Sequence, residues 1–349
     1  MEGSISLRHH VQFSSGAHPP TALSPLQGGY HKSVNAKDTE RLSISRRALL
    51  ATGALLLSRP AKAKAKLKVS VFSKHLQFVQ GEELATAAAG LGFDGVDITL
   101  RNGGHVEPAS VAKDLPPLVA TLRKHGLEVP MVTTDIADAD TPFAEDILKA
   151  CTALGIRNYR FGAFKWDAGK AYEAQLEAMK PRLAKLAALN ARYQMCAMYH
   201  THSGVGVVGA SIWDLWYLMR DLDPKTVGVN FDVSHAVIEG GLGGWIDSFK
   251  ITGDHLRGIA VKDFAWEKVA KGAYQTQWKP IGEGMVKLPE FFGMVAQTAF
   301  EGPLQIHFEY PLGGANNGSR TLTIPKEDVL AAMKRDLERV RGMLEKAGL

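Results

Sequence analysis

Four apolar runs in this 349-residue sequence each end in side chains that can bind a metal ion or transfer a proton. In the clearest case, the run 227–231 leads directly into Asp232, and His235 follows three residues later. The other three runs end in the pairs His200 and His202, Lys262 and Asp263, and His307 and Glu309. Because the strands of a parallel barrel bring their carboxyl ends to one mouth, this pattern predicts that the four endings lie close together.

The carboxylates of Asp232 and Glu309 are the strongest indication of a metal site. Each follows an apolar stretch, where an ionised carboxylate is costly without a metal or a cationic partner. With an imidazole from His200 they form a His/Asp/Glu set, which suits Mn²⁺, Zn²⁺, Co²⁺ or Mg²⁺ and leaves coordination positions for substrate oxygens. The alternative is a salt-bridged barrel rim in which Lys262 or Arg160 pairs with the acids.

Further polar and aromatic side chains at strand ends predict a substrate site. We expect substrate contacts from His202, His235, Arg160, Lys262 and Trp166. Three roles are open for Lys262: a cation that binds a substrate oxyanion, a general base, or one partner of a structural ion pair. Trp166 offers an aromatic face on which a sugar can stack, although core or lid packing is the commoner use of tryptophan. Glu309, Lys262 and His235 are the predicted catalytic residues.

The elements that would position these residues alternate between strand and helix. Strands are predicted at 68–72, 95–100, 128–134, 158–162, 193–200, 227–232, 256–262 and 303–310. Helices are predicted near 82–91, 108–125, 142–154, 170–190, 211–221, 244–252, 288–299 and 326–347. Eight such units predict an α/β fold, a single (β/α)8 barrel. The alternative is a doubly wound sheet, but the turn after the first strand reads Ser-Lys-His-Leu and contains no glycine-rich phosphate loop.

Residues 1–63 are predicted to precede the barrel as an export presequence, with the barrel spanning 64–349. Arg46 and Arg47 stand before the apolar run 48–57, and Ala-Lys-Ala follows at 61–63, as in a twin-arginine signal. The alternatives are a disordered basic tail or a membrane anchor, but ten residues are too few to span the ~30 Å hydrocarbon core. We therefore expect a periplasmic or exported protein without a stable membrane span.

The charge distribution argues against a nucleic-acid partner. The whole chain has a formal net charge of +5, but residues 1–63 hold eight of its 41 Lys and Arg and only three of its 36 Asp and Glu. Residues 64–349 therefore contain 33 of each sign, whereas a nucleic-acid-binding domain usually carries a basic surface.

Residues 68–345 resemble the sugar phosphate isomerase/epimerase family of xylose isomerase-like TIM barrels. The motifs that carry the resemblance are GFDGVD at 92–97, YHTH at 199–202, FDVSH at 231–235, VKD at 261–263, IGEG at 281–284 and FE at 308–309. The resemblance implies a divalent metal held by His200, Asp232 and Glu309, with His235 contacting substrate hydroxyls.

Two positions depart from the family pattern. His200 stands where the epimerases have a glutamate that acts as acid and base, and Ala260 stands where the strand-seven histidine ligand is expected. The metal site then has three protein ligands, or it is completed by His202 or His307. Otherwise the site is metal-free and Lys262 supplies its positive charge.

These features predict an exported, metal-dependent carbohydrate isomerase or epimerase that acts through an enediolate on an unphosphorylated keto-sugar. A keto-glycoside lyase or hydrolase of the same fold is the first alternative, and a sugar-binding barrel that has lost its metal is the second. A nuclease is disfavoured by the neutral charge of the barrel. The predicted partner is a small-molecule carbohydrate, and a homo-oligomer is compatible with the sequence. The sugar, its stereocentre and the metal are not determined by the sequence.

Overall fold

The computed structural model describes residues 66–349 apart from Ala163, and in this part of the chain eight parallel strands close into a barrel. The strands in chain order are β1 Val69–Phe72, β2 Gly95–Thr99, β3 Val132–Thr133, β4 Asn158–Phe161, β5 Cys196–His200, β6 Val227–Asp232, β7 Leu256–Val261, β8 Asp263–Lys268, β9 Tyr274–Lys279 and β10 Leu304–Ile306. Around the barrel the order is β1-β10-β7-β6-β5-β4-β3-β2, while β8 and β9 form a separate antiparallel hairpin. The predicted (β/α)8 barrel is confirmed, whereas the predicted presequence lies outside the described residues.

Helices cover the outside of the barrel. They are α1 Gly81–Leu91, α2 Val111–Lys124, α3 Ala144–Ala153, α4 Tyr172–Tyr193, α5 Trp213–Met219, α6 Val233–Gly240, α7 Gly244–Thr252, α8 Leu288–Ala296 and α9 Lys326–Ala347. Short 3-10 turns occur at Ser73–Leu76, Pro108–Ser110, Gly253–His255, Ala270–Gly272 and Ala315–Asn317. None of the helices in the described part of the chain is long and apolar enough to cross a membrane.

Helix α9 illustrates how the sequence period builds the outer layer. Its buried apolar residues include Val329, Met333, Leu337, Val340 and Leu344, spaced by three or four positions along the helix. Because residues at this spacing lie on one face of a helix, that face packs inward and the charged remainder meets solvent.

Alternation along the strands directs the polar side chains to the barrel axis. On β6, Phe231 packs outward against Phe249 of α7 and Phe291 of α8, with ring centroids 5.5 and 5.9 Å apart. Because successive side chains of a strand point to opposite faces, Asn230 and Asp232 point into the barrel.

Three differences from the predicted elements affect the barrel mouth. The hairpin β8–β9 occupies a segment with no predicted element, and α6 starts directly at Val233 in place of a loop. The segment 303–310 forms a strand only over β10, Leu304–Ile306. Tyr193 ends α4 and does not begin the next strand; the helix stops there because Gln194 adopts a left-handed conformation with φ 51°.

Candidate active site

Asp232 lies at the centre of the mouth and has two distinct roles. Its Oδ1 accepts hydrogen bonds from the backbone N–H groups of Ser234 (3.0 Å) and His235 (3.2 Å), and so caps α6. Its Oδ2 is left to face the barrel axis, 3.2 Å from Nζ of Lys262 and 3.5 Å from Nε2 of His200. Burial raises the pKa of Asp232, while Lys262 acts in the opposite direction.

The Lys262 ammonium connects the acidic side chains of the site. Its Nζ lies 3.0 Å from Oε2 of Glu309 and 2.8 Å from Nε2 of His235. It also stands 4.3 Å from the ring centroid of Trp278, which belongs to β9. The lysine side chain is only 2% exposed, so its charge is balanced by Asp232 and Glu309 rather than by water.

Glu309 is the carboxylate that a substrate can reach. Its side chain is 22% exposed, whereas that of Asp232 is fully buried. Burial raises the pKa of Glu309, but Lys262, Lys74 and His75 together outweigh that effect and bring the pKa to about 2. Glu309 is therefore ionised at neutral pH.

The histidines of the mouth are neutral. Burial lowers the pKa of His200, His235 and His307 well below the usual value, and that of His202 to about 3. A neutral imidazole keeps a lone pair on one ring nitrogen, which is the form that binds a metal.

Two groups of these side chains have the spacing of metal ligands, within 4.8 Å of one another: His200, His202 and His235; and His200, Asp232 and His307. In the first group both ring nitrogens of two histidines already have partners. His202 contacts its neighbours through Nδ1 (His200 O, 3.1 Å) and Nε2 (Arg160 Nη2, 3.3 Å). His235 contacts Ser203 Oγ (2.8 Å) and Lys262. This group is therefore occupied by its own hydrogen bonds.

The second group fits a metal ion. Nε2 of His200, Oδ2 of Asp232 and Nδ1 of His307 are buried and without a hydrogen bond among the described residues, apart from the ion pair of Asp232 with Lys262. The 3.5 Å between the His200 and Asp232 atoms matches the ~3.4 Å separating two ligands at ~2.1 Å from a tetrahedral metal. Two imidazoles and a carboxylate form a donor set suited to Zn²⁺, Mn²⁺ or Co²⁺.

Asn230 orients His200 from below. Its side-chain Nδ2 lies 3.1 Å from Nδ1 of His200, and Asn230 itself is fully buried. Metal binding through Nε2 would require the ring proton on Nδ1, and the side-chain oxygen of Asn230 would then have to face that Nδ1–H in place of the amide nitrogen. Asn230 is not among the residues predicted from the sequence, although it stands two residues before Asp232 on the same face of β6.

The structure brings some of the predicted residues together and separates others. His200 and Asp232 are adjacent, as a shared metal site requires, while the carboxylate of Glu309 contacts Lys262 and lies outside both ligand groups. His307 reaches the axis because β10 is paired with β7 so that Gln305 lies beside Ala260. His307 follows Gln305 by two residues, so its side chain also points into the barrel, closer to the mouth than Ala260. The role of Glu309 as a ligand stays a prediction.

The predicted substrate contacts lie around the same mouth. Arg160, at β4, contacts His202, and His235 covers Lys262. Trp166 stacks on Tyr172 with ring centroids 4.5 Å apart, on the rim.

Asp263, by contrast, has a structural role: its carboxylate accepts hydrogen bonds from four backbone N–H groups, those of Phe264, Gly282, Gly284 and Val286. It thereby ties the IGEG loop to the start of the hairpin.

Comparisons with known proteins agree with this architecture. A family model described as a xylose isomerase-like TIM barrel matches residues 85–335. A solved D-tagatose 3-epimerase-like protein is 15% identical with a TM-score of 0.59, covering 80% of this chain and 99% of that one. The probable 3-DHS dehydratase of Bacillus anthracis is 16% identical with a TM-score of 0.57, covering 77% and 98%. The 3-keto-D-glucoside 4-epimerase of E. coli is 14% identical with a TM-score of 0.56, covering 79% and 100%. At these identities the likeness concerns the fold, and no curated protein matches the chain in sequence.

Proposed function

This chain belongs to the xylose isomerase-like TIM barrel family, and we propose that it is a sugar isomerase or epimerase acting on an unphosphorylated keto-sugar at the barrel mouth. The observation that carries the proposal is the convergence of three buried ligand atoms, on His200, Asp232 and His307, beside the accessible carboxylate of Glu309; of the three, the Asp232 oxygen is ion-paired with Lys262. A substrate-binding centre and a proton-transfer group are thereby adjacent.

A divalent metal held by His200, Asp232 and His307 would supply Lewis-acid polarisation of a substrate carbonyl. The chain's own residues supply the proton transfer. Glu309 is ionised and reachable, so it removes the proton from the carbon next to the carbonyl and returns it. Lys262, 3.0 Å from Glu309, donates a hydrogen bond to the enediolate oxygen and stabilises its negative charge.

His235 completes this arrangement. Its Nε2 is 2.8 Å from the Lys262 ammonium and its Nδ1 is 2.8 Å from Ser203 Oγ, so the ring joins the lysine to a hydroxyl on the rim. Trp278 covers the pair, with its ring centroid 5.4 Å from that of His235, and keeps water away from the ammonium. Exclusion of water strengthens the electrostatic effect of Lys262 on a developing oxyanion.

An elimination from a keto-glycoside is the second candidate. Epimerisation with two bases uses an acid–base group on each face of the substrate. In this site Glu309 is more accessible than Asp232, and His200 stands where the epimerases of the family have their second catalytic carboxylate. Elimination needs only one base and one nearby acid, which Glu309 and Lys262 provide on one side of the mouth.

Isotope exchange tests the proposal independently of the sugar. The full-length protein is incubated in D₂O with panels of aldoses, ketoses and 3-keto-glycosides, and deuterium incorporation next to the carbonyl is measured by NMR. We expect exchange with at least one sugar, its loss in Glu309→Gln, and its retention in Glu283→Gln, which alters an exposed ion pair with Arg339. Exchange without isomerised product, together with release of a leaving group, would assign the lyase reaction. Absence of exchange across all panels would contradict enolisation chemistry.

Metal content tests the ligand set separately. Elemental mass spectrometry of the untagged protein is expected to find about one transition-metal equivalent, strongly reduced in His307→Ala and Asp232→Ala but retained in Glu309→Gln. Equal metal loss in Glu309→Gln would return Glu309 to the ligand set. A metal-free wild-type protein that binds sugars without exchange would identify a non-catalytic binding barrel.

We further propose that residues 1–63 direct export through the twin-arginine route and that residues 64–349 constitute the mature barrel. The Arg46-Arg47 pair, the short apolar run and the Ala-Lys-Ala site support this. Cell fractionation of the wild type and of the Arg46→Lys/Arg47→Lys variant tests it, since the variant should be retained in the cytoplasm. A wild-type protein found only in the cytoplasm would contradict it.

A further inference from the structure

On the side of the mouth opposite Lys262, two arginines act on nearby carboxylates only at longer range, with no ion pair within 4.0 Å among the described residues. Four cationic side chains surround the mouth, and three carboxylates face them. The cations are Lys74, Arg101, Arg160 and Lys262, and the carboxylates are Asp97, Asp232 and Glu309. Lys262 is bound between two of these carboxylates, and Lys74 lies 4.0 Å from Glu309. The two arginines remain.

Neither arginine has a carboxylate partner. Within residues 66–349, with Ala163 excepted, no acidic oxygen lies within 4.0 Å of the guanidinium of Arg101 or Arg160. In this part of the chain the Arg160 guanidinium reaches only the ring of His202, 3.3 Å from its Nη2, and Arg101 stands 5.7 Å over the ring of Phe72. Because an unpaired charge in a partly buried position is unfavourable, this arrangement indicates that an anion from outside the chain completes it.

The nearby acid does not supply that anion. Asp97 accepts hydrogen bonds from the Thr133 hydroxyl at 3.0 and 2.8 Å, and burial raises its pKa to about 7. It is thus partly neutral at physiological pH. Burial, followed by repulsion from Arg101, lowers the pKa of Arg160 to about 10, which leaves the guanidinium charged.

The fold sets the distance between this charge and the reactive groups. Arg160 lies on β4 and Arg101 two residues beyond β2, whereas Lys262 and Glu309 follow β7 and β10 on the other side of the closed barrel. A ligand that spans the mouth meets the arginines with one end and the Lys262–Glu309 pair with the other.

We propose that the substrate is an anionic sugar whose carboxylate binds Arg101 and Arg160 while its carbonyl end lies at Lys262 and Glu309. This inference rests on the proposed function for its sugar but not for its anion. Arginine favours such a ligand because its planar fork makes paired hydrogen bonds to an oxyanion.

Calorimetric titration with matched sugar series tests the inference. Glucose and galactose are each used as the neutral sugar, the uronate and the 6-phosphate, against the full-length protein. We expect at least one uronate to bind about tenfold or more tighter than its neutral parent, with weakening by salt. Tighter binding of a 6-phosphate than of the matching uronate would overturn the choice of a carboxylate. Equal affinity for neutral and anionic forms, or no binding of any anionic form, overturns the inference.

Variants localise the effect. Arg160→Gln and Arg101→Gln are expected to remove the anionic preference while metal content and circular dichroism are unchanged, and Arg160→Lys to keep part of it. Arg157→Gln is the matched control, because Arg157 is an exposed arginine immediately before β4, at the opposite end of that strand from the mouth. A preference that survives in both Arg101→Gln and Arg160→Gln overturns the assignment.

The two proposals fail differently. Anion binding that depends on Arg160, without deuterium exchange in any sugar, would contradict the isomerase function and leave the anion site standing. Exchange in neutral sugars without any preference for anionic forms would support the isomerase function and contradict the anion site.

Discussion

The Nζ atom of Lys262 lies 3.2 Å from Oδ2 of Asp232, and these side chains are 2% and 0% exposed. Burial of one such charge alone is strongly unfavourable, whereas the pair is tolerated because each neutralises the other. The candidate site is therefore built around a cation that belongs to the protein, and this cation shares Asp232 with the proposed metal position.

Replacement of Lys262 by methionine should destabilise the fold. The substitution keeps most of the side-chain volume but leaves Asp232 buried without its cation, so we expect a loss of about 3–5 kcal/mol in the free energy of unfolding. Urea unfolding measures it. Lys170→Met is the control: its ion pair with Asp167 is exposed, and its removal should change stability little. A similar small effect in both variants would contradict the buried-pair description.

Gly284 cannot accept a side chain. A Cβ atom there would overlap the Asp263 carboxylate and the Phe264 carbonyl, both of which hold the hairpin at the mouth. We expect Gly284→Ala to cost about 1–3 kcal/mol or more, as for an overpacked core position. Gly293→Ala, in α8 with open space around it, should instead stabilise by about 0.5–1 kcal/mol because alanine favours a helix. Thermal unfolding of the two variants compares them, and equal stability would contradict the clash.

Stability should fall as the pH is lowered below 6.5. Burial lowers the pKa of six described histidines: His75, His105, His200, His202, His235 and His307. The folded-state values are about 3 for His75 and about 4 for His105, so between these values and 6.5 the unfolded chain binds more protons. Each such group contributes stability that is complete above pH 6.5 and is lost at up to ~1.4 kcal/mol per pH unit as the pH falls.

Five acids among the described residues oppose this trend. Burial raises the pKa of Asp97 to about 7 and that of Asp336 to about 6, and it also raises the pKa of Asp214, Asp232 and Asp263, so their contribution grows as the pH falls toward 4. Because the six histidines outnumber these five acids, the net slope should be positive. Urea unfolding at pH 7, 6 and 5 measures it, and His75→Gln should reduce it. Unchanged stability over this range would contradict the assignment of neutral buried imidazoles.

Trp278 should report on ligand binding. Its ring lies 4.3 Å from the Lys262 ammonium, so a substrate that contacts Lys262 changes the surroundings of the indole. We expect a fluorescence change on titration with an active sugar, absent in Trp278→Phe and preserved in Trp266→Phe. Trp266 lies on the same hairpin but is 42% exposed. A signal that persists in Trp278→Phe would place the ligand elsewhere.

Local sequence patterns were sufficient to predict the barrel and the carboxyl ends of most of its strands. The helices α7 and α9 were predicted at 244–252 and 326–347, the bounds observed, because their apolar period is regular. The hairpin was not predicted, although β9 is rich in strand-forming residues, because its strands pair with each other outside the barrel and break the alternation of strand and helix.

The sequence by itself determined which residue types stand at the ends of the strands, because a run of apolar residues followed by a charge is a local property. The tertiary structure decided which of them meet. The pairing of β7 with β10 brings His307 beside the position of Ala260, and Glu309 forms an ion pair with Lys262. It also left Arg101 and Arg160 without an ion pair among the residues that the structure describes, because charge pairing depends on side chains from strands that are distant in sequence.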